Sequence, residues 1–189
     1  MGYFRFLLPL PLVLALAACG GGGGAPAAPK PADVAADSLA KGIAAQNANK
    51  MDEATKDYFE VLANDPKNKF AFYNLGEIAQ RQNRMTAAES FYRLALEQDP
   101  KMTSALFNLA IVRTNVGATA DAVALYRQVI AIDPNYAAAH FNLGLLLRQL
   151  GQTADAQTEL ATAQRLDPKL VAPSPSATPL QQASPTRKP

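Results

Sequence analysis

Hydrophobic and polar positions divide the chain into four stretches. Residues 6–17 are almost continuously apolar and follow a single early cation, Arg5. Residues 20–34 show no apolar periodicity. Residues 35–170 alternate apolar and polar positions at helical spacing, and this stretch repeats itself. An Asp-Pro pair returns at Pro66, Pro100, Pro134 and Pro168, each 34 residues after the last. Counting back from each proline gives four units, 35–68, 69–102, 103–136 and 137–170. A fixed period of this length predicts stacked repeats. The seventh position is Leu75, Leu109 and Leu143 in the last three units. The eighth is small throughout (Gly42, Gly76, Ala110, Gly144) and the twentieth is always alanine (Ala54, Ala88, Ala122, Ala156). The twenty-fourth is Tyr58, Tyr92, Tyr126 and then Leu160. Each unit therefore reads as two amphipathic helices, A and B, joined by a short turn. Small residues let A and B approach closely. The proline has no N–H and closes helix B.

Local signals refine the helices. Thr86-Ala87-Ala88-Glu89 reads as a capping box opening helix B of the second unit. Thr119 with Asp121, and Thr153 with Asp155, place a cap and an acid near two further helix starts. Gly117 and Gly151 fall in turns within units. The first unit has Ser38, Lys41 and Ala45 at positions four, seven and eleven, so it reads as a polar end cap. No solvating helix is visible after Pro168. The second helix of the fourth unit, with Gln157, Thr158, Thr162 and Gln164, is expected to cap itself or to form a self-association surface, hence a homodimer. Residues 171–189 are rich in Pro, Ser, Thr and Ala and are expected to be disordered.

These repeated positions resemble the tetratricopeptide repeat (TPR), and the resemblance covers residues 35–170. It implies an all-α fold, a right-handed superhelical solenoid of four helix pairs with helix A of each unit on the concave side. Function is then expected on that side, from positions two, five, six, nine and thirteen. Position five gives Leu39, Tyr73, Phe107 and Phe141; position nine gives Ile43, Glu77, Ile111 and Leu145. Position six gives Ala40 and then Asn74, Asn108 and Asn142, which resembles the asparagine ladder of O-GlcNAc-transferase-type arrays. An amide both donates and accepts, so it can match a peptide group at each step, and flanking aromatics add apolar contact. The expected partner-binding groove is Tyr73, Asn74, Phe107, Asn108, Ile111, Phe141, Asn142 and Leu145. These residues are also common where they only pack the inner helix surface. The carboxylate clamp that other TPR proteins use for chaperone tails is absent, because its places hold Leu39, Ile43, Ser104 and Asn108.

The N-terminus changes the picture. The apolar run at 6–17 is too short for a ~20-residue membrane span and has the form of a secretory signal. It ends Leu16-Ala17-Ala18-Cys19, which resembles a bacterial lipobox. The resemblance implies a signal peptide at 1–18 and a lipid-bearing Cys19, anchored to the membrane without spanning it. Residues 19–34 then read as a Gly/Ala/Pro linker. Gly20 favours the outer membrane, facing the periplasm, in a Gram-negative envelope.

Composition excludes more than it identifies. The 189 residues carry 18 Lys+Arg, 16 Asp+Glu and one cysteine. This balance shows no basic stripe for nucleic acid, and no CxxC-type metal or redox motif is possible. His140, the only histidine, falls at a packing position in the fourth unit. No cofactor, metal or catalytic residue is expected. The chain reads as an adaptor that scaffolds or assembles an envelope complex. Its architecture is similar to the assembly lipoproteins of type IV and tight-adherence pili. The alternatives are a self-associating structural lipoprotein and a regulator of an envelope enzyme such as a peptidoglycan hydrolase.

Overall fold

The computed structural model describes residues 29–172. Among them stand eight α-helices and no strand: α1 (Pro31–Asn47), α2 (Met51–Asn64), α3 (Lys69–Arg81), α4 (Met85–Gln98), α5 (Thr103–Asn115), α6 (Thr119–Ile132), α7 (Ala137–Gln149) and α8 (Thr153–Leu166). They pack in chain order as four hairpins, and each hairpin stacks on the next. Beyond chain neighbours, α3 also meets α5, as first helices of adjacent units should. The signal peptide at 1–18, Cys19, the linker up to residue 28 and the tail from residue 173 lie outside the described residues. The linker is shorter than expected, because α1 begins at Pro31 rather than after residue 34. Proline is pre-organised for a first helical position and needs no N–H there, and Asp33 suits the positive end of the helix dipole.

Each hairpin closes on its eighth position. A Cβ added to Gly42 would lie 2.6 Å from the Tyr58 ring, and one on Gly76 2.6 Å from the Tyr92 ring. At Gly144 the neighbour is Leu160, with Cγ at 2.7 Å. Both tyrosine rings are fully buried, as are the alanines at position twenty in the first three units. The core is accordingly a string of apolar clusters along the stack rather than one centre. One joins the first two units around Tyr58 and Leu75. The next joins the second and third around Tyr92 and Leu109, and another the third and fourth around Tyr126 and Leu143.

The Asp-Pro pair has a fuller role than helix termination. Every helix B ends on its aspartate, with φ between −130° and −143°, the extended conformation that a following proline imposes. The side chains of Asp65, Asp99, Asp133 and Asp167 then accept from the backbone N–H two residues on, at 3.0–3.4 Å. Their carbonyls accept from the N–H three residues on, at 3.0–3.1 Å. One compact turn is thus built four times. Lys69 also donates to the Asp99 carboxylate at 2.7 Å; this bond, with the Lys101 N–H, holds that carboxyl below its usual range.

Several end signals act differently from expectation. The Thr86–Glu89 capping box does not form: α4 starts at Met85, and its N-cap, Arg84, makes no side-chain cap. Thr86 is therefore already helical, and Glu89 turns to Arg113 and Arg93 instead. Thr119 and Thr153 are likewise the first residues of their helices rather than the caps before them. Their hydroxyls donate back to the carbonyls of Gly117 and Gly151. Asp121 and Asp155 do sit in first turns. The only side-chain cap among the eight described helices is Asn68, whose Oδ1 accepts from the Ala71 N–H at 3.0 Å. Gly117 and Gly151 take φ of +77° in their turns, and Asn49 and Asn83 hold the same left-handed place in the first two units.

The ends are capped by different means. At the first unit Lys41 is exposed and pairs with Asp37, while Ser38 and Ala45 are buried. At the other end α8 does not cap alone: Leu170 and Ala172 pack against Phe141, Leu145 and Ala163. They lie where a further unit would otherwise cover those side chains.

The close approach at position eight gives a direct test. Gly76→Val should cost about 1–3 kcal/mol by overpacking against Tyr92. The expected result is a lower urea midpoint with unchanged slope. An unchanged midpoint would mean that the ring can move aside freely and that the contact does not set the hairpin.

Candidate functional site

The first helices α1, α3, α5 and α7 form one layer of the stack, and their expected groove positions are not alike. On α3, Phe70, Tyr73, Glu77 and Arg81 recur at helical spacing on one face. Phe70 is 49 % exposed, Tyr73 and Glu77 are half-buried and Arg81 is open. The corresponding surface of α5 and α7 is closed. Phe107, Ile111, Phe141 and Leu145 are buried, and Asn74, Asn108 and Asn142 are only 3 %, 5 % and 6 % exposed. Of the eight residues expected to line the groove, Tyr73 alone keeps substantial exposure.

The amides are engaged within the protein to different degrees. Asn108 Nδ2 donates to the Tyr73 hydroxyl at 3.2 Å, joining the second and third units. The Glu77 carboxylate lies near that hydroxyl. Glu77 accepts from Gln46 Nε2 at 3.3 Å, and Gln46 Oε1 accepts from the buried Tyr58 hydroxyl at 2.8 Å. Two bonded groups thus lie side by side, Tyr58–Gln46–Glu77 across the first and second units and Tyr73–Asn108 across the second and third. The second unit repeats the tyrosine–glutamine link, with Tyr92 donating to Gln80 at 2.8 Å. Asn142 lies beside the Tyr126 hydroxyl, but its buried Nδ2 makes no hydrogen bond of good geometry. The sequence did not reveal this network. The signal available was the pairing of Gln46 with Tyr58 and Gln80 with Tyr92, each 12 residues apart.

Aromatic rings accompany these groups. Tyr73 and Tyr92 stand 6.0 Å apart, Phe107 and Tyr126 5.9 Å, and Phe107 and Tyr136 5.1 Å between centroids. Burial pushes the Tyr126 and Tyr136 hydroxyls up to about 12, and Asp133 adds to the effect at Tyr136. Burial also raises Tyr73 and Tyr92, helped by the carboxylate of Glu77. These phenols are held neutral as hydrogen-bonding groups.

His140 is a core residue, 7 % exposed. Its Nδ1 lies 2.6 Å from Glu159 Oε2 and its Nε2 3.0 Å from the Pro134 carbonyl. Both nitrogens are occupied within the fold. Among the described residues no group of His, Cys, Asp and Glu could hold a metal, and no helix is long and apolar enough to cross a membrane. What this layer offers chemically is an open stripe with an aromatic ring, a phenol, a carboxylate and a guanidinium, backed by a fixed polar network. That arrangement suits recognition of a polypeptide segment.

Comparisons with known proteins agree with this geometry. Family models described as "Tetratricopeptide repeat" match residues 39–103 and 137–170, and one described as "TPR repeat" matches residues 115–151. No curated protein matches the chain. Among solved structures, MamA protein superposes with a TM-score of 0.66 at 20% identity, covering 72% of this chain and 75% of that one. A tetratricopeptide repeat protein from Parabacteroides merdae gives 0.66 at 23% identity, over 72% of this chain and 55% of the other. An O-GlcNAc transferase mutant from Thermobaculum terrenum gives 0.67 at 22% identity, over 82% of this chain and only 30% of that protein. These likenesses establish the fold.

The buried phenols make stability depend on alkali. Their folded-state ionisation is raised to about 12, while an unfolded tyrosine ionises near 10. Stability is therefore full below pH ~10 and is lost as pH rises toward ~12. Helical circular dichroism and tyrosinate absorbance should change together in that window. Tyrosines that all ionise near pH ~10 with ellipticity intact would contradict their burial.

Proposed function

Because the chain belongs to the tetratricopeptide-repeat family, we propose that it is an adaptor holding a partner protein's segment against the inner face, with the stripe on α3 as the point of entry. The observation that carries this reading is the open run of Phe70, Tyr73, Glu77 and Arg81, backed by bonds from Gln46 to Glu77 and from Asn108 to Tyr73. An apolar side chain of the partner would lie on Phe70 and Tyr73. Polar groups would meet Glu77 and Arg81. The buried amides of Asn74 and Asn108 act in this reading by fixing the face. Direct contact with an extended backbone would require them to be uncovered.

The second part of the proposal is location. The Leu16-Ala17-Ala18-Cys19 segment supports acylation of Cys19, and the linker would set the repeats off the headgroups. The protein would then be held at the bacterial envelope, at the outer membrane facing the periplasm in a Gram-negative host. There it would scaffold or assemble a complex, of the pilus or secretion type by analogy of architecture.

Two experiments test these parts separately. Cross-linked capture from native membranes should recover specific envelope proteins that are lost with Phe70→Ala/Arg81→Ala. The ladder variant Asn74→Ala/Asn108→Ala/Asn142→Ala, checked for helical content, distinguishes direct amide contact from support. Identical partners on all three baits would place binding away from the inner face. For the anchor, Cys19→Ser should move the protein from the membrane to the soluble fraction and abolish fatty-acid labelling. Unaltered membrane association would remove the lipid from the picture.

A further inference from the structure

The seams between successive units offer an internal comparison. Each seam is filled where position eleven of one unit meets position twenty-one of the unit before. Between the second and third units these are Arg113 and Glu89, in direct ionic contact, with Asp121 3.9 Å away. Between the third and fourth they are Leu147, 1 % exposed, and Val123. Between the first and second they are Ala79 and Thr55, the smallest pair of the three. Here the seam is not filled. A cavity of about 70 Å³ opens between α2 and α4 with α3 as its floor.

Its walls mix apolar and polar groups, with Gln82 and Arg84 beside the hydrocarbon. Ile78 and Ala79 lie on the floor, Thr55 presents its methyl because its hydroxyl donates to the Met51 carbonyl at 2.7 Å, and Phe59 and Phe91 form one lip. Those rings meet edge to face at 6.5 Å, and Phe59 is half exposed. Arg84 also lines the site. Among the described residues its guanidinium bonds to the Gln82 side chain at 3.3 Å and pairs with no carboxylate. In the other two seams its position is held by Ala118 and Gln152, which are uncharged.

We infer that this seam is a second docking site, on the side opposite the inner stripe, for one branched aliphatic side chain adjoining a carboxylate on a partner protein. The volume exceeds the ~10–15 Å³ of probe space that one water needs, and Ile78 and Ala79 make its floor apolar. A leucine- or valine-sized group supplies what Ala79 leaves out, while a neighbouring Asp, Glu or chain-terminal carboxylate meets Arg84. The two phenylalanines stack over the inserted group. This inference does not depend on the inner face binding anything.

The test uses 4-methylpentanoate, which joins an isobutyl group to a carboxylate, titrated into the full repeat protein while backbone amide shifts are followed. Saturable shifts are expected at Thr55, Ile78, Ala79 and Phe91. Uncharged 4-methylpentanamide, or the Arg84→Gln variant with the acid, should bind about two- to fivefold more weakly, the size of an exposed ion pair. Ala79→Leu should abolish the shifts and keep or raise the melting temperature, because it fills the same space. Thr55→Leu fills it from the facing wall and should act alike if Ala79→Leu proves unstable. Non-saturating shifts, saturable shifts that survive a stable filling variant, or shifts centred on Phe70 and Tyr73 would each overturn the site.

Discussion

The contact on which the stack depends is the closure of each hairpin at its eighth position. An aromatic ring lies directly on the helix backbone at Gly42 and Gly76, with no room for a Cβ as the rings stand. That closeness sets the distance between the two helices. It also fixes where the buried tyrosines place their hydroxyls, against Gln46 in the first unit and Gln80 in the second. The third unit reaches a related arrangement with Ala110 and a buried Tyr126. The fourth gives up the ring for Leu160, which fills the space above Gly144 and forms no polar link. A tyrosine at this place can therefore fill the space and also bond, as Tyr58 does to Gln46 and Tyr92 to Gln80, whereas a leucine can only fill it.

A second constraint is the Asp-Pro turn. With α-helices alone, consecutive hairpins could meet at many angles. The same extended aspartate, with the same pair of accepted hydrogen bonds, recurs after every second helix. It delivers each new unit at one geometry. Contacts then stay between neighbours, and stability accumulates unit by unit. Such a chain can vary individual seams without losing the fold. The three seams do vary, from a cavity beside Ala79 to an ion pair to a leucine.

Much of this was legible in the sequence because it depends on backbone chemistry that repeats. Proline, glycine and alanine at a 34-residue period determined the units, their helices and the turns at Gly117 and Gly151. Single-site signals fared worse. Thr86, Thr119 and Thr153 have the composition of caps, but the preceding hairpin turn starts α4 two residues earlier and α6 and α8 one residue earlier, which leaves them inside the helices. Asn49 and Asn83 carry the turn where the later units have glycine, because asparagine tolerates the left-handed conformation better than most residues. The groove was only partly legible. Position numbers predict which way a side chain points. They do not show that Asn108 is bonded to a tyrosine of the preceding unit, or that Phe141 is covered by residues beyond the last helix.

This division bears on how recognition should be understood in the molecule. Residues that define a repeat are constrained by every neighbouring unit, and here they are mostly buried. Distinctiveness resides where one unit departs from the others. On the inner layer that departure is α3, the one first helix to combine an exposed Phe70 with a half-buried Glu77 and an open Arg81. On the outer side it is Ala79, which empties a seam that Arg113 and Leu147 fill in the units that follow. Both departures fall in the second unit, on opposite faces of one helix. A partner engaging either face would therefore meet α3, which is bonded through Glu77 to Gln46 of the first unit and through Tyr73 to Asn108 of the third.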